Sequence, residues 1–302
     1  MIQMNKMDSL LAKKIEAGDF IITAEYLPDT NIEAMPIRKL KNCNAVAVNV
    51  ADNPFGPVIS SLATSVKLRQ ANIEPIYQLV TRDRNRIALQ SDILGAASLG
   101  IKNILCLSGY HQTLTDMPDS AGVFDLDSIQ LLELVTRMND EQTLSNGTKI
   151  QGGYSMLAGA VVNPYLRPLE LNIMRLIKKI KAGAKFIQTQ AVFNTTDFQE
   201  WLDAAYQEGI TEKAVIIAGI YPLSGYEEAL DLMNRHTDFY IPDPHIKRIK
   251  NAGDIEAQRK MGIAICVETI GKIKGMKGLS GIHIMSGGKE DIINDIISDA
   301  GL

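Results

Sequence analysis

The sequence predicts an α/β fold made of a single closed (β/α)₈ barrel of the TIM-barrel type, and three observations support it. About eight apolar runs of strand length alternate with amphipathic stretches of helical length. This order implies parallel strands joined by right-handed crossovers. Eight such units within 302 residues match a closed barrel better than a doubly wound sheet. Finally, polar residues recur at the downstream end of nearly every run.

These polar strand ends indicate where the protein does its chemistry. In chain order, the residues that end the eight runs are Glu25; Asn49 and Asp52; Gln78 and Thr81; Ser108, Tyr110 and His111; Asn163; Gln188 and Gln190; Tyr221; and His283 with Ser286. An unpaired buried polar group costs about 1–3 kcal/mol, so a strand that only supports a core should stay apolar. In a parallel barrel these ends converge on one rim, which is where such barrels carry active sites. The pattern therefore predicts an enzyme.

The helices are predicted from apolar spacing and from capping residues. The predicted helices cover residues around 40, 57–68, 84–99, 126–138, 168–181, from Thr195 or Thr196 through Ala205, 225–233, 252–273 and 289–297. Asp125 or Asp127 is the candidate N-cap of the helix over 126–138, and Gly100 suits the C-terminal cap of the helix over 84–99. One domain is predicted over residues 1–302, with residues 1–18 as a short N-terminal extension. Two long connections, 109–125 and 234–253, are predicted to be lids or ligand walls.

The composition narrows the class of protein. It is 46% hydrophobic and 22% charged, as expected of a soluble globular protein. No apolar stretch approaches the roughly 20 residues of a spanning helix, and the first residues lack a secretory core. A net charge of −4 argues against a mainly electrostatic nucleic-acid partner. Cys43, Cys106 and Cys266 lack metal-site spacing, and the last two are predicted to be buried thiols. We expect a cytoplasmic protein with no bound metal and no membrane insertion.

Glu25 is the sharpest candidate for catalysis. Strand alternation places it on the same face as Ile21 and Thr23, which is consistent with the barrel interior. Burial among apolar neighbours would raise the pKa of its carboxyl group and make it a proton donor near neutrality. A structural carboxylate paired with a basic residue is an equally good interpretation of the residue alone.

Other polar segments have both functional and structural interpretations. Gln188 and Gln190 share a strand face and could bind the amide edge of a heterocycle, or a neighbouring loop. The arginine-rich stretch 82–86 favours helix capping and bridges between loops over ligand binding. Residues 286–289, Ser-Gly-Gly-Lys, could hold a phosphate on backbone N–H groups. No Gly-x-Gly-x-x-Gly or P-loop supports a Rossmann-type nucleotide site.

Three stretches together resemble the methylenetetrahydrofolate reductases, which are flavin-dependent (β/α)₈ barrels. They are QLVTRDRNR at 78–86, FDLDS at 124–128 and GAKFIQTQ at 183–190, and the resemblance extends from about Phe20 to Ser286. It implies flavin-dependent reduction of 5,10-methylenetetrahydrofolate to 5-methyltetrahydrofolate in one-carbon metabolism. The implied electron donor is NAD(P)H or a partner subunit. The implied assembly is a homo-oligomer or a subunit of an electron-transfer complex.

The resemblance also implies roles for particular residues. Glu25 matches the acidic residue that protonates the folate as its five-membered ring opens, and Gln190 matches a glutamine that contacts substrate or nicotinamide. Gln188 and Lys289 join Gln190 as predicted substrate-binding residues. The predicted flavin-binding residues are Asn49, Gln78, Gly109, Tyr110, Phe124, Asp125, Asn163, Asn172, Arg175, Lys178 and Lys179.

The chain differs from this family after its fourth strand. Tyr110 stands where the family typically has an Asp, and Ser108 stands where many members have a basic residue. The predicted flavin is FAD, with FMN as the alternative, and loss of a cation that could meet a pyrophosphate mildly favours FMN or weak binding of FAD. Two alternatives stay open. One is a non-catalytic or atypical reductase-like subunit of a larger folate or electron-transfer complex. The other is a phosphate-binding barrel aldolase or isomerase that uses residues 286–288.

Overall fold

Eight parallel strands close into a barrel in their order along the chain, as predicted. The computed structural model describes residues 8–32, 40, 43–235 and 239–302. The strands are β1 (Ile21–Tyr26), β2 (Ala47–Val50), β3 (Pro75–Val80), β4 (Asn103–Leu107), β5 (Leu157–Val162), β6 (Phe186–Ala191), β7 (Val215–Ile220) and β8 (Leu279–Ile284). Because β8 pairs in parallel with β1, the sheet has no free edge.

In the described part of the chain, one helix precedes β1, and the other helices follow strands on the outside of the barrel. They are α1 (Leu10–Ala17), α2 (Ser61–Gln70), α3 (Arg86–Ser98), α4 (Ser128–Glu141), α5 (Leu169–Lys181), α6 (Thr195–Gln207), α7 (Tyr226–Arg235), α8 (Asp243–Lys250), α9 (Ile255–Ile273) and α10 (Ile293–Asp299). Short 3₁₀ turns cover Gln112–Leu114, Ile210–Glu212 and Glu290–Ile292.

The structure corrects several predicted boundaries. The connection predicted over 234–253 contains α8, so it is not an irregular loop throughout. The N-cap of α6 is Asn194, whose side chain accepts from two backbone N–H groups, and not Thr195 or Thr196. Asp127 is confirmed as the N-cap of α4 in a reciprocal capping box with Gln130. Except for Leu40 itself, the helix predicted around residue 40 lies mostly outside the described residues.

The core of the described residues includes two parts on opposite faces of the barrel wall, because strand residues alternate between those faces, and a third, smaller cluster contains Leu223 and Ile265. The larger part packs between the strands and the outer helices, and it includes Val48, Leu79 and Ile104. The smaller of these two parts fills the barrel interior near the amino ends of the strands. Its buried members include Ile21, Ile76, Leu105, Leu157, Phe186 and Ile217.

Helix α1 closes the amino end of the barrel. Ser9 caps it by accepting from the backbone N–H of Ala12, and Leu11 and Ile15 pack into the interior cluster. The carboxylate of Glu74 accepts from the N–H groups of Leu10 and Leu11, which places a negative charge at the positive end of the helix. The predicted N-terminal extension thus contributes a helical plug to the barrel.

Neither a membrane-spanning helix nor a cluster of metal-binding side chains occurs among the described residues. None of their helices has both the length and the apolar character needed to cross a membrane. Their His, Cys, Asp and Glu side chains also form no group of three or more that could hold a metal ion. Cys106 and Cys266 are buried thiols, as predicted, and burial raises the pKa of both.

Candidate functional site

The carboxyl ends of the strands surround a cavity of about 480 Å³. That volume lies within the range of small-molecule sites, roughly 300–1,000 Å³. The structure brings nine of the predicted site residues together on its wall: Glu25, Asn49, Gln78, Gly109, Tyr110, Arg175, Lys179, Gln188 and Gln190. The polar strand ends thus meet in one place.

Glu25 is an acidic residue of the cavity wall, and the pKa of its carboxyl group is raised. It lies two residues after Thr23 on the inward face of β1, and its register partner on β2 is Asn49. Burial raises the pKa of its carboxyl group, a hydrogen bond from the Gly287 N–H lowers it, and the nearby Glu290 carboxylate raises it, which together bring it to about 7. An acid with such a pKa holds and releases a proton near neutrality.

A hydrogen-bonded polar layer forms the floor beneath Glu25. Asn49 and Gln188 exchange two amide hydrogen bonds of 2.6 and 3.1 Å across the barrel. Gln188 also donates to the Thr23 hydroxyl, which lies 3.0 Å from Nδ1 of His283. All four side chains are buried, and burial lowers the pKa of His283 to about 3, so the imidazole is neutral. The floor is therefore polar, paired and uncharged.

Gln190 lies within a β-bulge at the cavity end of β6. The register between β6 and β7 gains one residue on β6 between Gln188 and Ala191. At this irregularity the Thr189 hydroxyl accepts a hydrogen bond of 3.0 Å from the Gly219 N–H. A side chain at Gly219 would come within 2.4 Å of the Thr189 carbonyl oxygen. Bulges recur beside active sites, and Gln190, which lies within this one, is on the cavity wall.

Two cations from α5 lie at one end of the cavity. Lys179 is buried, and its ammonium donates to the Val161 carbonyl oxygen. Burial and the nearby Arg175 lower the pKa of Lys179 to about 8. Arg175 and Lys179 also line a side pocket of about 160 Å³ together with Asn163 and Asn172. This end of the site suits an anionic group such as a phosphate.

Another part of the cavity wall is aromatic. Tyr110 and Phe55 both line the cavity, with ring centroids 6.4 Å apart and an interplanar angle of 10°. Gly109 has φ of 83°, a conformation that favours glycine, and this turn sends the chain from β4 into the loop that carries Tyr110. Flat aromatic side chains offer stacking surface to a planar ligand.

The arginine-rich segment after β3 ties neighbouring loops together. Arg82 donates to Asp83 and to the Asn53 carbonyl oxygen, although its side chain also reaches the cavity wall. Arg84 binds Asp52 through both terminal nitrogens. The contacts of this segment agree with the structural interpretation of the sequence.

Four predicted site residues lie elsewhere in the structure. Asp125 binds Arg86 through both carboxylate oxygens, which lowers the pKa of Asp125 to about 2. Phe124, beside it, is 40% exposed, and Lys178 lies on the exposed face of α5. Lys289 forms a 2.6 Å ion pair with Glu228. None of the four is on the cavity wall.

Sequence reasoning missed several residues of the wall. Leu105, Leu107 and Val161 supply apolar surface from the inward faces of β4 and β5, and strand alternation could have identified them. Leu232 and Phe239 come from α7 and from the segment after it. No local pattern marks those two, because their place depends on how distant loops pack.

Comparison with known proteins agrees with this architecture. The family profile "Methylenetetrahydrofolate reductase" matches residues 10–301. A probable methylenetetrahydrofolate reductase (NADPH) from Caenorhabditis elegans is 24% identical over 249 residues, which cover 80% of this chain and 34% of the relative. A 5,10-methylenetetrahydrofolate reductase from Buchnera aphidicola is 24% identical over 204 residues, covering 67% of this chain and 63% of the relative. The chain thus spans only part of the length of these relatives.

A solved structure shows the same fold. It is an uncharacterized protein from Clostridium thermocellum that binds two copies of 5-methyl-5,6,7,8-tetrahydrofolic acid. The two chains superpose with a TM-score of 0.67 at 18% identity, over 97% of this chain and 98% of the other. Since the family profile covers nearly all of the sequence, this chain belongs to the methylenetetrahydrofolate reductase family.

Proposed function

We propose that this protein reduces 5,10-methylenetetrahydrofolate to 5-methyltetrahydrofolate with the help of a flavin, and that Glu25 is the proton donor. The observation that carries the proposal is the Glu25 carboxyl group, which lines the cavity with a pKa of about 7. Family membership supports the reaction. A folate ligand is supported by the Clostridium thermocellum protein, which shares the fold and binds 5-methyltetrahydrofolic acid.

The residues present fit a flavin. A flavin has a planar apolar ring, a polar ring edge and a phosphate. The aromatic wall with Tyr110 suits the ring, the amides of Asn49, Gln78 and Gln190 suit the polar edge, and Arg175 with Lys179 suits the phosphate. Asn163 and Asn172 lie in the adjoining side pocket and Gly109 in the wall. When bound, the flavin would supply a hydride.

The four residues away from the cavity need separate treatment. Phe124, Asp125 and Lys178 have no role in the flavin site proposed here, since none of them lines the cavity. Lys289 is likewise not proposed to bind substrate, because its ammonium already contacts Glu228 and the Ser224 hydroxyl.

The chain's own contribution to the reaction is a positioned proton. Reduction opens the five-membered ring of the folate by breaking a carbon–nitrogen bond, and the released nitrogen must gain a proton. Glu25 carries that proton on a carboxyl oxygen and becomes a carboxylate, which the Gly287 N–H then stabilises. Gln190 is proposed to bind the folate, and Gln188 holds the floor beneath it through Asn49.

The phosphate-binding aldolase or isomerase is less well supported. Its proposed cradle was the backbone of residues 286–288, but the Gly287 N–H donates to Glu25 and the Gly288 N–H donates to the Ser286 hydroxyl. The loop therefore already binds a carboxyl group from its own chain. A nicotinamide electron donor is supported by the name of the nematode relative, which specifies NADPH. A partner subunit is the other proposed donor, and the proposed assembly remains a homo-oligomer or such a complex.

A two-step experiment tests the proposed reaction. The purified protein should show a flavin absorption spectrum, with extraction separating FMN from FAD. Anaerobic addition of NADPH or NADH should bleach it, and 5,10-methylenetetrahydrofolate should restore it. Reoxidation after chemical reduction, without bleaching by either nicotinamide, would assign the donor to a partner protein. A protein that binds folate but no flavin would contradict the reductase and support the non-catalytic alternative.

Replacing Glu25 tests its assigned role. Glu25→Gln should slow reoxidation by the folate by about 10²–10⁴-fold, because an amide cannot supply the proton. Reduction by the electron donor should change far less. The matched control is Glu133→Gln, the same change at an exposed position of α4. A loss under about threefold, far below the usual effect of removing a general acid, would make Glu25 structural.

A further inference from the structure

A cluster of polar side chains joins the loops after β7 and β8 beside the cavity. Glu228 on α7 accepts at one carboxylate oxygen from Lys289, at 2.6 Å, and from the Tyr221 hydroxyl, at 3.1 Å. Its other oxygen accepts from both the backbone N–H and the hydroxyl of Ser224, each at 2.6 Å. Lys289 also donates to the Ser224 hydroxyl. Every polar atom at the centre of this cluster is therefore paired.

The ion pair at its centre is partly shielded from water. The side chains of Lys289 and Glu228 are 27% and 25% exposed. Burial alone would raise the pKa of Glu228, but the hydrogen bonds from Lys289 and Ser224 hold it below its usual value. Glu228 is thus a carboxylate. A paired and partly buried charge of this kind fixes geometry better than an exposed surface pair does.

Tyr221 connects this cluster to the loop that contacts Glu25. Its ring packs against Gly287, where an added Cβ would lie 2.7 Å from the phenol oxygen. Gly287 has φ of 56°, and its N–H donates to the Glu25 carboxyl group. Lys289 follows Gly287 by two residues. The loop is therefore held at Tyr221 on one side and at Glu228 on the other, with the donor to Glu25 between them.

We propose that Tyr221, Glu228 and Lys289 form a latch that positions the Gly287 N–H on Glu25. They are positioning residues, since they act on the proton donor through the loop. The proposal rests on the proposed function for its catalytic meaning, but its structural content does not. Opening the latch would remove a hydrogen bond that favours the carboxylate, and the pKa of Glu25 would rise.

Other charged groups near Glu25 must be separated from the latch. Glu290 lies behind the same loop and raises the pKa of Glu25 by its charge. His283 on β8 is buried and neutral, and the Tyr221 phenol is also neutral, because burial and the charges of Glu228 and Glu25 raise its pKa. Substitutions that keep the net charge therefore distinguish positioning from a change in electrostatic field.

The experiment is a pH titration of the Glu25 carboxyl band by infrared difference spectroscopy, with Glu25→Gln to assign the band. Two variants open the latch without a net change in charge: Tyr221→Phe, and Glu228→Gln combined with Lys289→Met. Each should move the Glu25 midpoint upward by about one pH unit. Lys289→Arg, which keeps the ion pair, should retain the wild-type midpoint.

The matched control is Arg248→Met combined with Glu268→Gln, which removes an exposed ion pair between α8 and α9. It should leave the midpoint unchanged. If the single changes Glu228→Gln and Lys289→Met shift the midpoint in opposite directions and cancel in the double variant, the effect is electrostatic and the latch is refuted. An unchanged midpoint in Tyr221→Phe would also refute it. Because the titration uses neither folate nor flavin, it tests the latch even if the proposed reaction fails.

Discussion

The two halves of the barrel interior differ, although the same eight strands build both. Near the amino ends, Ile21 and Phe186 belong to an apolar cluster that α1 seals. Two residues further along the same strands, Thr23 and Gln188 belong to the hydrogen-bonded floor. Another two residues bring the chain to Glu25 and Gln190 on the cavity wall. Along one strand, the first of three successive inward positions stabilises the apolar core, the second supports the floor of the cavity, and the third lines the cavity itself.

The largest expected effect lies in the apolar half. Phe186 fills the barrel so closely that a Cβ at Gly159 would lie 2.2 Å from its ring. Phe186→Ala should lower the free energy of unfolding by about 3–5 kcal/mol, because the rigid barrel cannot collapse into the space that the missing ring leaves. Denaturant unfolding measures this loss. If the folded variant also bound folate much more weakly than the wild type, the apolar half would contribute to the ligand site. The two halves would then not be separable as described.

A smaller effect is expected in the floor. Gln188→Leu leaves the Asn49 amide buried without its partner and should cost about 1–3 kcal/mol. Combining it with Asn49→Leu removes both partners, so much of that stability should return while ligand binding stays impaired. The comparison needs unfolding curves and ligand titrations of the same three proteins. Equal destabilisation in the single and double variants would show that the amide pair is not the reason for the loss.

The smallest net effect in the wild type is expected from a pair of opposing pH dependences, each at most about 1.4 kcal/mol per pH unit. The pKa of His283 is lowered from 6.5 to about 3, so the unfolded chain binds the extra proton and stability is lost as pH falls through that window. The pKa of Glu25 is raised from 4.5 to about 7, so the folded chain binds the extra proton and stability is lost as pH rises through that window. Between pH 4.5 and 6.5 the two slopes oppose each other.

Removing either group should expose the slope of the other. Relative to wild type, His283→Gln should become less stable as pH rises from 4.5 to 6.5, and Glu25→Gln should become more stable. Urea unfolding at several pH values in this interval provides the measurement. Parallel curves for all three proteins would mean that neither group titrates as its burial requires.

The sequence predicted the barrel and much of its rim because both follow from local patterns. Strand alternation and polar strand ends placed Glu25, Gln78 and Gln190 together, and the structure has all three on one cavity. The plug formed by α1 was not predicted, because a short amphipathic segment does not specify where its apolar face packs. The ion pair of Lys289 with Glu228 was also missed, since 61 residues separate the partners.

The proposed reaction depends most directly on the protonation state of Glu25 during turnover. The measurement is the rate of flavin reoxidation by 5,10-methylenetetrahydrofolate across about pH 6 to 9, in wild type and in Glu25→Gln. A required acid is active only while protonated, so the wild-type rate should fall as pH rises through about 7. The residual rate of Glu25→Gln should lack that step. A wild-type rate independent of pH, or the same step in both proteins, would contradict the assignment of Glu25 as the proton donor.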